Sequence, residues 1–474
     1  MKWLLTVILV LFPYSAWAAC TGSSPTWSST PDYASMASCM SSATAGDTIN
    51  VSGGSQENWD STLVISKGVH IAGAGTGSTL IGCGTADPLI EILPSNQSLN
   101  AEVEISGIAF DSNNTCIVIS LGEYNYEPTT FQTRINIHEN YFYGTTSGNS
   151  NYQYVFNYNQ GGVIWGNTFT GKDQMFRSGG YGNFGLYSVA TIAWATSQAL
   201  FIEDNIFNMS GADGDYIADC QFSGASRVWR YNTFAVNNDV SWSGFIDVHG
   251  YNNDAYTSCY GDNAYGNIVT SSSNEDVAWL AARGGKNTAF YNDAITTGNV
   301  SPGVYFSYGC PTSYTDYNFL RSYAWVNTKN TTTLAGDGGQ QCGDECGDWA
   351  CDGSSSSSPG YPEEDIQFFN FESSFAGSTG VGCGSELPSA SGCTDRVAFW
   401  VTDQSCSSTS GLTGDIATYS SRNNIAGTLY ECQSEAWVAI YTPYTYPHPL
   451  RGEAAAATYR KAFGGGSFTG GTMK

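Results

Sequence analysis

Six short segments of this chain each carry one asparagine in the same apolar setting: "IHENYFYG", "VIWGNTFTG", "FIEDNIFNM", "VWRYNTFAV", "NAYGNIVTS" and "TAFYNDAIT". The residues are Asn140, Asn167, Asn205, Asn232, Asn267 and Asn292, at spacings of 27, 38, 27, 35 and 25. Such spacing is too regular for chance and too irregular for a horseshoe or a propeller, so each segment reads as one coil of a solenoid with loops of varying length. Around each asparagine, polar and apolar residues alternate as in half-buried strands. Ile135, Ile137, Val163, Ile202 and Val228 are therefore expected to point inward and stack from coil to coil. An asparagine at a turn accepts left-handed geometry and hydrogen-bonds neighbouring backbone, which predicts a stacked ladder.

The N-terminal part follows the same plan. "AGDTINVSGG" and "TLVISKGVHIAGAGTGSTLIG" read as strand pairs with glycine-rich corners, and "VEISGIAFDS" supplies a third. Composition agrees: 55 Gly, 30 Tyr, 23 Phe and 13 Trp with only 12% charged residues favour strands over long helices. After residue 335 the pattern breaks. Residues 336–365, including "CDGSSSSSPGYPEED", read as a Cys/Ser-rich linker. Residues 366–450 read as a small β module that closes the end of the solenoid or hangs from it, and 451–474 as a flexible tail. The segments "GDTINV" and "ISKGVHIAGAG" and the repeated Asn-x-Phe coils resemble right-handed parallel β-helix proteins of the pectin lyase-like class. The resemblance covers residues 40 to 330 and implies an all-β, right-handed parallel β-helix solenoid ending in a small Cys-rich β module. It implies less about activity, because that class includes lyases, hydrolases, phage tail spikes and adhesins.

The opening "MKWLLTVILVLFPYSAWAAC" reads as a secretory signal over residues 1–19, so a secreted, extracellular protein is expected. No later stretch is long and apolar enough for a spanning helix. Cys20 follows the cut, but "WAAC" lacks the aliphatic residue of a lipoprotein signal. Fourteen cysteines in an exported chain predict disulfides, and "CGDECGDWAC" has neither the spacing nor the histidine of a zinc site. With 42 acidic against 17 basic side chains, a net charge of -25 argues against nucleic acid as a partner.

Chemistry is sought on the coil faces, which suit an extended polymer. Arg227, Arg230, Arg283 and Lys286 concentrate basic charge in one stretch that also holds Asp247 and His249. In "WRYNTF" the alternation sets Trp229 and Arg230 on opposite sides, one of them facing solvent. In "FIDVHGY" Asp247 and His249 share a face, where a carboxylate would fix the imidazole tautomer. His249 or Arg283 is the expected base, Arg230 the carboxylate neutraliser and Asp247 the orienting group. Arg227, Lys286, Trp242 and Tyr251 are expected to bind substrate. His70 and His138 lie within strand repeats and His448 between prolines, so structural roles are expected there. Asp213, Asp215 and Asp219 in "SGADGDYIAD" could hold calcium, although the full calcium-loop pattern is absent.

The leading expectation is cleavage of an extracellular acidic polysaccharide by β-elimination, with the base removing a C5 proton. The alternative from another class is a non-catalytic glycan-binding or surface protein of tail-spike or adhesin type. A glycoside hydrolase is the third reading. "DVHG" and "RGGK" echo two polygalacturonase motifs in order, but the paired aspartates expected before His249 are replaced by "ASRVWR", which counts against hydrolysis.

Overall fold

A computed structural model describes residues 20–93, 101–113, 115–122, 133–144, 153–158, 160–171, 175–179, 196–209, 217–220, 226–236, 245–248, 261–271, 280–282, 285–296, 304–306, 322–330, 332–334, 368–370, 379–402 and 427–452. Its strands form three long sheets of thirteen, eleven and nine members, almost entirely parallel, stacked as a solenoid. Each coil contributes one strand to each sheet in turn, as Gly162–Trp165, Thr168–Thr170 and Phe176–Ser178 do.

Side chains in register fill the interior. In the second sheet Phe110, Phe142, Phe169, Phe207 and Phe234 stack at ring-centroid distances of 5.2, 4.7, 5.0 and 4.9 Å. Those distances track the spacing of neighbouring strands, about 4.8 Å, so each new coil adds one ring to the pile. In the first sheet Ile137, Ile164, Ile202 and Trp229 occupy the same inward register.

The asparagine ladder stands at the corner between first and second sheets. The Asn140 backbone N–H and Nδ2 both donate to Asn167 Oδ1, at 2.9 and 3.1 Å, and the pattern repeats through Asn205, Asn232, Asn267 and Asn292. Each Nδ2 also reaches a main-chain carbonyl one coil back, as Asn232 reaches Ile202 O at 2.8 Å. Asn327 adds a seventh rung, receiving Asn292 at 3.2 and 2.9 Å. It lies in "VNTKN", beyond the six aligned segments. The left-handed residue is not the asparagine, as expected, but its predecessor. Glu139, Gly166, Asp204, Tyr231, Gly266, Tyr291 and Val326 have φ between 50° and 65°. The predecessor turns the corner, which leaves the asparagine amide aligned along the stack.

The N-terminal end is closed by helix Tyr33–Ser42. Asp32 caps it by accepting from the Ser35 N–H at 2.9 Å, and Met36, Cys39 and Met40 are buried in the first coils' core. Cys20 is disulfide-bonded to Cys39, and Cys83–Cys116 and Cys393–Cys432 are further pairs. The cluster at 342–351 lies outside the described residues. No helix among the described residues is long and apolar enough to cross a membrane.

The C-terminal strands Thr379–Gly382, Ala398–Val401, Thr428–Gln433 and Ala436–Tyr441 form a separate four-stranded sheet. This sheet packs against the outer face of the first solenoid sheet. A second apolar core results, in which Val163, Phe201, Val228, Phe290 and Trp325 meet Trp400, Leu429 and Tyr441. Val163 and Val228 thus point outward, against expectation, because a strand buried on both faces cannot be read by alternation alone. Strand Phe368–Asn370, within the span assigned to the small module, instead extends the first solenoid sheet.

Replacing Asn232 by Ala removes an acceptor for the Asn205 amides and a donor to Ile202 O, all at a buried corner. The expected cost is about 3 kcal/mol, from one or two stranded buried groups. Denaturant unfolding of Asn232→Ala beside the parent chain measures it; a loss under about 0.5 kcal/mol, the size of a surface change, is the contrary result.

Candidate functional site

On the outer face of the third sheet, a charged residue sits at the centre of three consecutive strands: Arg177 in Phe176–Ser178, Asp219 in Ala218–Cys220 and Asp247 in Ile246–Val248. They are register partners, Arg177 with Asp219 and Asp219 with Asp247. Their neighbours Phe176, Ala218, Cys220, Ile246 and Val248 belong to the inner core, so strand alternation turns the three charges outward together. The Arg177 Nε stands 3.9 Å from Asp219 Oδ2, and its guanidinium lies 5.9 Å from the Phe156 ring centroid. Both aspartates are fully buried at 0% exposure, whereas the Arg177 side chain keeps 21%.

Behind this column stands Arg227. Expected to bind substrate, it is instead 1% exposed and faces inward with Trp229. Its Nε and Nη2 donate to Asp262 at 2.7 and 2.5 Å, while Nη1 and Nη2 donate to the main-chain carbonyls of Asp219 and Asp247 at 3.0 and 3.4 Å. A buried guanidinium satisfied in this way fixes the two strands that present the aspartates.

Arg230 does face outward, opposite Trp229, but solvent does not reach it. At 0% exposure it pairs with Glu203 at 2.5 Å and donates to Tyr444 O and Thr445 O at 2.7 and 2.9 Å. Arg451 completes the cluster, donating to Glu203 Oε1 at 2.8 Å and Asp204 Oδ2 at 2.5 Å. The expected role of Arg230 as a substrate-neutralising cation is therefore replaced by a structural one, because the C-terminal segment takes its hydrogen bonds. Arg451, assigned by composition to the flexible tail, is 6% exposed in this clasp. Burial pushes the Glu203 carboxyl up, but Arg230 and Arg451 hold it below the ordinary carboxylate range.

Lys286 is half-buried just before strand Thr288–Phe290. His249, Arg283, Trp242, Tyr251, Asp213 and Asp215 lie outside the described residues. Asp219 belongs to a strand and faces Arg177, and among the described residues no group of three or more His, Cys, Asp or Glu is arranged to hold a metal. His70 and His138 flank Glu104 at 3.3 and 3.0 Å on the first sheet, and His138 stacks on Trp165 at 4.5 Å. His448 packs against the Phe201 ring at 4.9 Å.

Sequence reasoning missed the pairing of Asp219 with Asp247 and the nearness of Arg177. A signal was present: "FRS", "ADC" and "IDV" share one charge between two inward residues, each in the third strand of its coil. No family model, no curated protein and no solved structure matches this chain.

Burial lowers the His448 pKa to about 4, so the folded clasp holds it neutral. The unfolded imidazole takes its proton near pH 6.5, so this contribution is complete above that value and is lost as pH falls toward 4. Glu203, also depressed, adds a loss at still lower pH. In His448→Phe the stability slope between pH 6.5 and 4 should flatten by up to about 3 kcal/mol over the window, read from denaturant midpoints. Identical slopes in parent and variant would remove His448 from the linkage.

Proposed function

We propose that this chain is an exported carbohydrate-active protein that cleaves an acidic polysaccharide on the outer face of its third sheet, with Asp219 and Asp247 as the reacting carboxylates; both are 0% exposed in this state, so substrate entry has to uncover them. The observation that carries this reading is their register pairing on adjacent parallel strands, with Arg177 next in the column. Neighbouring strands stand about 4.8 Å apart, close to the roughly 5 Å carboxyl separation of retaining glycoside hydrolases. One carboxyl would protonate the leaving oxygen while the other attacks the anomeric carbon; water then releases the glycosyl-enzyme. Arg177, whose side chain is 21% exposed, supplies the cation that an anionic sugar would meet.

Hydrolysis is favoured over elimination because Arg230 and Arg227 are committed to Glu203 and Asp262 and are withdrawn from a substrate carboxylate. The parallel three-sheet solenoid supports assignment to the pectin lyase-like class, and crossovers between parallel strands favour the right-handed winding of that class. Disulfides and the apolar leader support export.

The test is incubation of the full chain with pectic, alginate and glycosaminoglycan polymers, reading reducing ends and unsaturated-uronate absorbance in parallel. Reducing ends without absorbance are expected, with initial products that retain anomeric configuration. Asp219→Asn and Asp247→Asn should each lower kcat by at least about a hundredfold, and Arg177→Ala should act mainly on KM. Absorbance rising with reducing ends would overturn hydrolysis and return His249 and Arg283 as candidate bases. Silence in both would overturn catalysis in favour of a glycan-binding module.

A further inference from the structure

The second sheet's outer face differs in charge from the rest of the chain. Its five central strands, Tyr141–Tyr143, Thr168–Thr170, Ile206–Met209, Thr233–Val236 and Ile268–Ser271, contain no charged residue. The protein as a whole carries a net charge of -25. The carboxylates at either end are occupied: Asp111 accepts from Gln56 Nε2 at 3.2 Å and Asp293 from Thr328 Oγ1 at 2.7 Å.

Because Phe142, Phe169, Phe207 and Phe234 fill the inward positions, the residues flanking them stand outward in two columns. Tyr141, Tyr143, Thr168, Thr170, Asn208 and Thr233 are half-buried there. The Tyr141 and Tyr143 rings lie against one another at 5.2 Å and 19°, and the Tyr143 hydroxyl donates to Gln56 Oε1 at 3.3 Å. The face therefore offers an aromatic platform followed by a run in which Thr and Asn groups are interspersed with the half-buried apolar Ile206, Ala235 and Ile268, about 19 Å long at the strand spacing.

We infer that this face binds a neutral polysaccharide, at a site separate from the Asp219–Asp247 column and independent of what that column does. A polyanion finds no cation in these five strands to offset the net charge of the chain, whereas the third sheet offers Arg177. A second copy brings the same net charge to the contact. A neutral glycan pays neither cost. Its ring faces suit the tyrosines, its hydroxyls suit the Thr and Asn side chains, and its sugars recur at a length close to the strand repeat.

The experiment is sedimentation of the full chain with insoluble cellulose, chitin and β-1,3-glucan. Retention on at least one of them, unchanged by high salt, is expected. Tyr141→Ala/Tyr143→Ala should weaken it about tenfold or more, as should Thr170→Asp/Thr233→Asp, whose altered positions leave the core rings in place. Asp219→Asn should bind as the parent does, so loss of activity and loss of binding separate. Absence of retention on all three polymers overturns the inference, as does retention that survives both double variants in chains with parental melting. Sedimentation equilibrium showing a dimer that Thr170→Asp/Thr233→Asp dissolves also overturns it, because the face then belongs to a second copy.

Discussion

A polar corner buried between two sheets is the constraint on which this structure depends. Every coil must turn from first to second sheet inside the molecule, where an unsatisfied amide or carbonyl is costly. The asparagine side chain resolves the turn by acting as both donor and acceptor along the stack. From Asn167 onward each Oδ1 takes two N–H groups from the coil before, and each Nδ2 reaches a carbonyl of that same coil. The predecessor pays the conformational cost by adopting positive φ, even where it is Tyr231, Tyr291 or Val326. With the corners fixed, the coil register is fixed, and with it the phenylalanine stack and the outward columns.

The three outer faces then have different fates. The first is covered from Val163 to Trp325 by the C-terminal sheet, with Glu203, Arg230 and Arg451 as the polar seal at one edge of an apolar contact. Buried ion pairs contribute little net stability but are costly to break, so the seal specifies where the segment docks more than how tightly. The second face keeps an uncharged stretch. The third gathers Arg177, Asp219 and Asp247, with Arg227 holding two of those strands from within.

Most of the solenoid was legible because its repeat is local: an asparagine, an apolar residue two positions later (Phe in the first four segments, Val269 and Ala294 in the last two) and alternating apolar neighbours report one coil at a time. Val163 and Val228 were misassigned because alternation tells the two faces of a strand apart only when one of them meets water. Arg230 was misassigned for the same reason. Its outward direction was one of the two readings the alternation allowed, but its partners at Tyr444 and Thr445 lie more than 200 residues away in the chain. The Asp219–Asp247 pair stayed hidden because loops of unequal length put no constant spacing between aligned positions.

Sequence alone therefore determined the β solenoid, its polar corners, its disulfide chemistry and its acidic character, since each follows from residue type and short-range period. Only the tertiary structure decided which outward residues come together and which are covered. Coil stacking aligned Asp219 with Asp247, and the docking of the C-terminal segment removed Arg230 from the surface. Both depend on contacts between distant segments, and a strand's own alternation holds no information about what will cover it.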